Sequence, residues 1–219
     1  MKPEESTLKE IEAQLSHPKG EQGIAIGEKM NTSNMPMTLN SIDFMNVKDK
    51  DKVLEIGHGN CGHLEALMAE ADDLYYSGVE ISETMYDEAQ RINKENIQKA
   101  KAEFKIYDGL KLPFPSDAFD KSFTVNTIYF WQKPEEFLKE IKRVLKPEGV
   151  CVITFVRKET MVDLPFVKNK FRIYEIPDIE RLAASAQFQI AGVRYLEDQV
   201  TSKSGEMILR KYAVVRLVA

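Results

Sequence analysis

Apolar positions follow two different periods along this chain, and the change of period marks where a core begins. Over residues 4–15, Leu8, Ile11 and Leu15 recur at spacings of three and four, which predicts a short amphipathic helix. A Gly- and Asn-containing stretch runs from His17 to Asn34, and Pro36 then opens a second helix carrying Met37, Leu39, Ile42, Phe44 and Met45. The run VKDKDK at 47–52 reads as a solvated connector.

From residue 53 onward, short apolar runs alternate with helical spacing. VLEIG (53–57), LYYSGVEI (74–81) and AEFKIYD (102–108) read as strands, DKSFTVNTIYF (120–130) contains a fourth, and GVCVITFV (149–156) is the next. Between them, Leu64, Leu67, Met68 and Ala71 share a helical face within 62–71, and Ser82 is placed to cap a helix carrying Met85, Ala89 and Ile92. Pro134 starts a helix with a wide stripe of Phe137, Leu138, Ile141, Val144 and Leu145, which stops at Lys146-Pro147-Glu148-Gly149. Residues 157–177 read as a loop or lid, 178–186 as a helix, and 188–196 and 207–218 as two strands joined by an SKSGE turn. Strands that alternate with helices imply right-handed crossovers and a parallel sheet, whereas the closely linked last pair must be antiparallel. The expected architecture is an α/β, Rossmann-like, doubly wound mixed sheet of about seven strands. It divides into an N-terminal helical cap over residues 1–50 and a core over 51–219.

The 219 residues suit one sizeable domain, and the 43% apolar and 30% charged shares are those of an ordinary globular chain. Nothing approaches the ~20 consecutive apolar residues of a membrane span. The opening MKPEESTLKEIEAQ is too acidic and polar for a secretory signal, and two distant cysteines, Cys61 and Cys151, suit a reducing, cytoplasmic setting. A net charge of −5 with scattered basic residues disfavours a nucleic-acid partner. His17, His58 and His63 with the two cysteines show no zinc spacing, so no metal is expected.

The first core strand delivers Glu55-Ile56-Gly57-His58-Gly59-Asn60-Cys61-Gly62 to its carboxyl end, where open α/β sheets bind ligands. GHGNCG matches the dinucleotide pattern GxGxxG, a weak signal alone. The flanks discriminate. Glu55 should place an anion beside the loop, which opposes a pyrophosphate and favours a ligand carrying an ammonium or sulfonium, such as S-adenosylmethionine. Glu80 closes the second strand and can accept from both ribose hydroxyls. Ile81 could pack on one adenine face, and Asp108 could accept from the adenine amino group, with Gly109 and Leu110 giving backbone contacts.

Together these residues resemble the class I S-adenosylmethionine-dependent methyltransferases, especially the small-molecule group that includes quinone-biosynthesis enzymes. VLEIGHGNCG resembles the first motif, GVEIS the ribose-binding strand end and YDGLKLPFPSDAFD the adenine-side loop; SFTVNTIYFW resembles strand four and EIKRVLKPEGVCVI the passage into strand five. The resemblance implies that Glu55, Gly57 and Gly59, with His58 in the same loop, surround the methionine end of the cofactor. Glu80 then holds the ribose, and Asp108 with Gly109 the adenine. Asn126 and Thr127 line the methionine part and face a small-molecule acceptor. Met30, Asn31 and Met37 resemble a cap folded over the cofactor, with ordinary helix packing as the alternative. One departure is Cys61, where the family usually has glycine; a thiol at a helix N-terminus could be activated.

Tyr129 and Trp131 come just past strand four, where aromatic rings could stack on a planar acceptor or fill core. Either His58 or Tyr129 could serve as a base, and the sequence assigns the role to neither. An Asn-Pro-Pro-Tyr type motif is absent, which again points to a small-molecule acceptor. The rival readings are an NAD(P)-dependent oxidoreductase and a non-catalytic cofactor-binding protein of the same fold. The first draws on the YxxxK pairs Tyr129/Lys133 and Tyr107/Lys111, but Pro134 and Asp108-Gly109 break the continuous helix each would need.

Overall fold

The computed structural model describes residues 5–162, 164–167, 170–201 and 207–219. Among these, seven strands form one sheet: β1 (Lys52–Ile56), β2 (Tyr75–Glu80), β3 (Ala102–Ile106), β4 (Phe119–Val125), β5 (Leu145–Val156), β6 (Gln189–Thr201) and β7 (Met207–Val218). Their spatial order is β3-β2-β1-β4-β5-β7-β6. The first five are parallel, and β7 runs antiparallel to both β5 and β6. Because the chain moves outward from β1 to β3 and then returns to β4 on the other side of β1, a crevice opens between β1 and β4 at their carboxyl ends. Val53, Leu54, Glu55 and Ile56 are all buried, as a strand covered on both faces requires.

Among the described residues, eight α-helices accompany the sheet: α1 (Glu5–Ser16), α2 (Gly20–Met45), α3 (Leu64–Met68), α4 (Glu83–Ile92), α5 (Lys94–Gln98), α6 (Pro134–Val144), α7 (Lys158–Met161) and α8 (Ile176–Ser185). Ser82 caps α4 as its sequence position suggests, its hydroxyl accepting from the Met85 N–H at 3.2 Å. The SKSGE turn falls at 202–206, outside the described residues, as do three positions of the expected loop at 157–177. The rest of that loop includes α7.

The largest departure from the sequence reading is α2. Residues 17–34 read as irregular because of their glycines and asparagines, and Pro36 as a helix start. The structure instead runs one helix of 26 residues from Gly20 to Met45 with Pro36 inside it. Tertiary packing overrides propensity here. Gly23, Gly27, Met37, Thr38, Ser41, Ile42 and Met45 form one buried stripe. A Cβ on Gly27 would lie 2.6 Å from the Met85 sulfur, so the missing side chain lets α2 approach α4 closely.

Candidate active site

The carboxyl ends of β1, β2 and β4 surround an open cavity of about 150 Å³. Its floor is the glycine loop. Gly57 and Gly59 adopt φ of +72° and +57°. A Cβ on Gly57 would meet the Thr127 methyl at 2.4 Å, so the strand can turn there only without a side chain. At Gly59 a Cβ would meet nothing within 4 Å, which leaves open space for a ligand against bare backbone.

Four of the loop's N–H groups are committed to protein acceptors. Gly57 N–H donates to Val79 O, Gly59 N–H to Glu80 Oε2, Cys61 N–H to His58 O and Gly62 N–H to Asn60 Oδ1. A dinucleotide site instead turns such groups toward a diphosphate. Glu80, buried at the end of β2, accepts Gly59 N–H at 3.0 Å on one oxygen, and Ile81 and Ser82 N–H at 2.8 and 3.1 Å on the other. A carboxylate has about four acceptor positions, so one remains for a ligand hydroxyl.

Beneath the loop lies a buried polar cluster that sequence spacing did not reveal. Glu55 Oε2 accepts from the Tyr76 hydroxyl at 2.6 Å and lies 2.8 Å from His63 Nε2. The Cys61 thiol donates to the same tyrosine oxygen at 3.2 Å. Burial alone would raise the Glu55 carboxyl, but the charge and hydrogen bond of His63, with the Tyr76 hydroxyl, outweigh it and hold the group below its usual range. Burial would likewise lower His63, but Glu55 outweighs it and raises the imidazole above its usual value. The two form an ion pair facing the cavity. Glu55 is therefore a charge-balanced anion rather than the bare one expected from sequence. Cys61, at φ +50°, is fully buried, and burial pushes its thiol well up, so the idea of an activated nucleophile fails.

The other expected residues divide. Gly57, His58, Gly59, Ile81, Gly109, Asn126, Thr127 and Trp131 line the cavity beside Glu55 and Glu80. Asp108, Leu110 and Tyr129 do not. The Asp108 carboxylate accepts Leu110 and Lys111 N–H, both at 2.8 Å, closing its own turn, and Tyr107 takes the place on the cavity wall. Leu110 is 43% exposed, outside the cavity. Tyr129 is buried, donating to Asn126 Oδ1 and accepting from Val156 N–H, while its neighbour Phe130 faces the cavity. His58 has its Nδ1 2.7 Å from Gly59 O and its ring edge-on to Phe104, and burial lowers its pKa.

The sequence missed most of the N-terminal wall. Leu15, Ser16 and Pro18, with Asn34 and Thr38 of α2, join Met30 and Asn31 on the cavity, whereas Met37 sits in the core. Pro18 O accepts from the Ser82 hydroxyl at 2.6 Å, pinning the α1–α2 connection to the start of α4. Three α-helical residues a turn apart facing one way (27, 30/31, 34) was the available signal, masked by the glycine and asparagine content.

Fold, crevice and floor together define the class: the chain has the fold of the class I S-adenosylmethionine-dependent methyltransferases, and residues 54–153 match the family model described as a methyltransferase domain. Among individual proteins it is similar to an uncharacterized methyltransferase, YdaC, of Bacillus subtilis, 25% identical over 134 residues, which are 61% of this chain and 71% of that one. It is also similar to a fatty-acid O-methyltransferase of Mycolicibacterium smegmatis, 29% identical over 149 residues, or 68% of this chain and 48% of that protein. The chain thus spans less than half of the latter. The fold of an S-adenosylmethionine-dependent methyltransferase from Aquifex aeolicus superposes with a TM-score of 0.64 at 19% identity, covering 100% of both chains. No helix among the described residues is long and apolar enough to cross a membrane.

Proposed function

We propose that this chain binds S-adenosylmethionine in the β1–β4 crevice and transfers its methyl group to a small-molecule acceptor. The carrying observation is the floor of the cavity: a glycine loop in which the N–H groups of Gly57, Gly59, Cys61 and Gly62 are committed to protein acceptors, flanked by the Glu80 carboxylate and the Glu55–His63 pair. That surface suits a cationic, phosphate-free adenosine derivative. When bound, the cofactor supplies a methyl on a positively charged sulfur that departs as a neutral thioether.

This chain's residues then position and enclose. Glu80 has one acceptor position left for a ribose hydroxyl, Gly59 leaves room for the ligand, and Tyr107 with Ile81 offers an apolar wall on the adenine side. The N-terminal helices α1 and α2 act as a cap through Leu15, Met30 and Asn31. The acceptor lies against Phe130 and Trp131, near Asn126. Tyr129 is committed on both sides of its hydroxyl, and burial pushes its pKa up, so it is no base. Alignment of acceptor and methyl carries the rate, a contribution that can be large without proton transfer. Two buried free cysteines accord with a reducing, cytoplasmic setting.

The oxidoreductase reading has no support in the site: Tyr129 is in a single 3-10 turn, and Lys133 precedes α6 and pairs with Glu136. S-adenosylhomocysteine is expected to raise the melting temperature, while NAD and NADP leave it unchanged. Stabilisation by a nicotinamide dinucleotide alone would refute the assignment.

A further inference from the structure

The Glu55–His63 pair faces the cavity from below, and its charge state depends on the histidine alone. We propose that His63 sets how strongly the site prefers the cationic methyl donor over its spent, uncharged-sulfur product, by offsetting the Glu55 carboxylate; this rests on the cofactor reading above. The geometry is specific. His63 Nε2 and the Tyr76 hydroxyl converge on the same oxygen, Glu55 Oε2, at 2.8 and 2.6 Å, with His63 5% and Glu55 3% exposed. While the imidazole is protonated the pair is electrically balanced. Once it loses its proton, an unbalanced anion stands next to the cavity.

S-adenosylmethionine carries a sulfonium, an ammonium and a carboxylate, a net charge of plus one. S-adenosylhomocysteine keeps the last two groups and is neutral overall. The ligands share the adenosine and amino-acid ends, so the ratio of their affinities isolates the sulfonium. An anion that is uncovered near a cation strengthens its binding and leaves a neutral thioether almost unaffected.

The other titratable groups near the pair include Cys61, Tyr76, His58 and Glu80. Cys61 in the loop and Tyr76 on β2 are pushed up by burial and remain protonated. Burial lowers the pKa of His58 in the loop, so it loses its proton before His63, whose value is raised. Glu80 at the end of β2 accepts three backbone N–H groups, and the Phe123 ring of β4 lies edge-on to His63 at 6.3 Å. Glu55 lies in β1 and His63 at the start of α3, and the loop between the two elements brings them together.

The test is isothermal calorimetry of S-adenosylmethionine and S-adenosylhomocysteine on the intact protein, from below pH 6.5 to the alkaline side. The preference for the donor is expected to grow on the order of tenfold as pH rises through the raised value of His63, the scale of one unit charge across a partly screened interior. His63→Gln keeps a donor toward Glu55 but cannot carry charge, so its ratio is expected to be flat and at the high, alkaline level. A ratio independent of pH in the wild type, or an unchanged rise in the variant, overturns the proposal. Because the variant replaces a buried residue, nuclear magnetic resonance of the wild-type His63 imidazole gives a second readout. By reciprocity its pKa must be lower in the donor complex than in the product complex, and equal values overturn the proposal. If neither ligand binds, the cofactor reading itself fails; if both bind with a constant ratio, only the role of His63 does.

Discussion

The methyl group of Thr127 occupies the place where any side chain at position 57 would begin. Gly57→Ala therefore meets two penalties, a positive φ and an overpacked contact, which together are expected to cost about 2–4 kcal/mol in urea denaturation. Thr127→Ser removes the offending methyl and should recover the packing part only; no recovery in the double variant would mean that backbone strain dominates. Residues of this kind were legible in the sequence, since a glycine at a strand-to-helix turn advertises its conformation. Glu55 and Glu80 were legible for a similar reason: each sits at or next to the carboxyl end of a short apolar strand. His63 and Tyr76 were not, because their convergence on one carboxylate oxygen arises from two neighbouring strands and a loop rather than from any linear pattern. Asp108 and Tyr129 show the reverse failure. A carboxylate before glycine prefers to close its own turn, and a tyrosine one place along a tight turn points inward rather than outward.

Among the elements, α4 has a start that serves two purposes. The Ser82 hydroxyl accepts from Met85 N–H and donates to Pro18 O, so one side chain caps a helix and fastens the link between α1 and α2. Ser82→Ala is expected to destabilise the protein by about 1–2 kcal/mol, the usual cost of a lost cap with one stranded acceptor. Protease sensitivity should rise selectively near Pro18; an evenly spread increase would argue against the fastening role. The strand–helix alternation of the core was legible from residue 53 onward because buried parallel strands are short apolar runs between turn residues. The long helix α2 was not: its glycines lower local propensity, and only the neighbouring Met85 shows why a small residue at Gly27 favours close packing.

For the whole molecule, the buried histidines set opposite slopes of stability against pH. His58 has its pKa lowered by burial, so its unfolded form binds a proton first, and stability rises with pH up to about the ordinary value of 6.5. His63 is raised, so its contribution is complete below 6.5 and is lost as pH climbs through its folded value. Glu55 is lowered, so its contribution is present above 4.5 and is lost as pH falls through its folded value. These three groups place the maximum near pH 6.5. Urea midpoints across pH should show an alkaline decline in the wild type that is absent in His63→Gln; persistence of that decline in the variant would assign it to other groups.

In the glycine loop the N–H groups of Gly57, Gly59, Cys61 and Gly62 already have acceptors in Val79, Glu80, His58 and Asn60. A partner molecule therefore meets a surface whose shape was settled when the chain folded. Little conformational freedom is left for that segment to surrender at the moment of encounter, and recognition can draw on attraction instead of spending it on ordering the backbone.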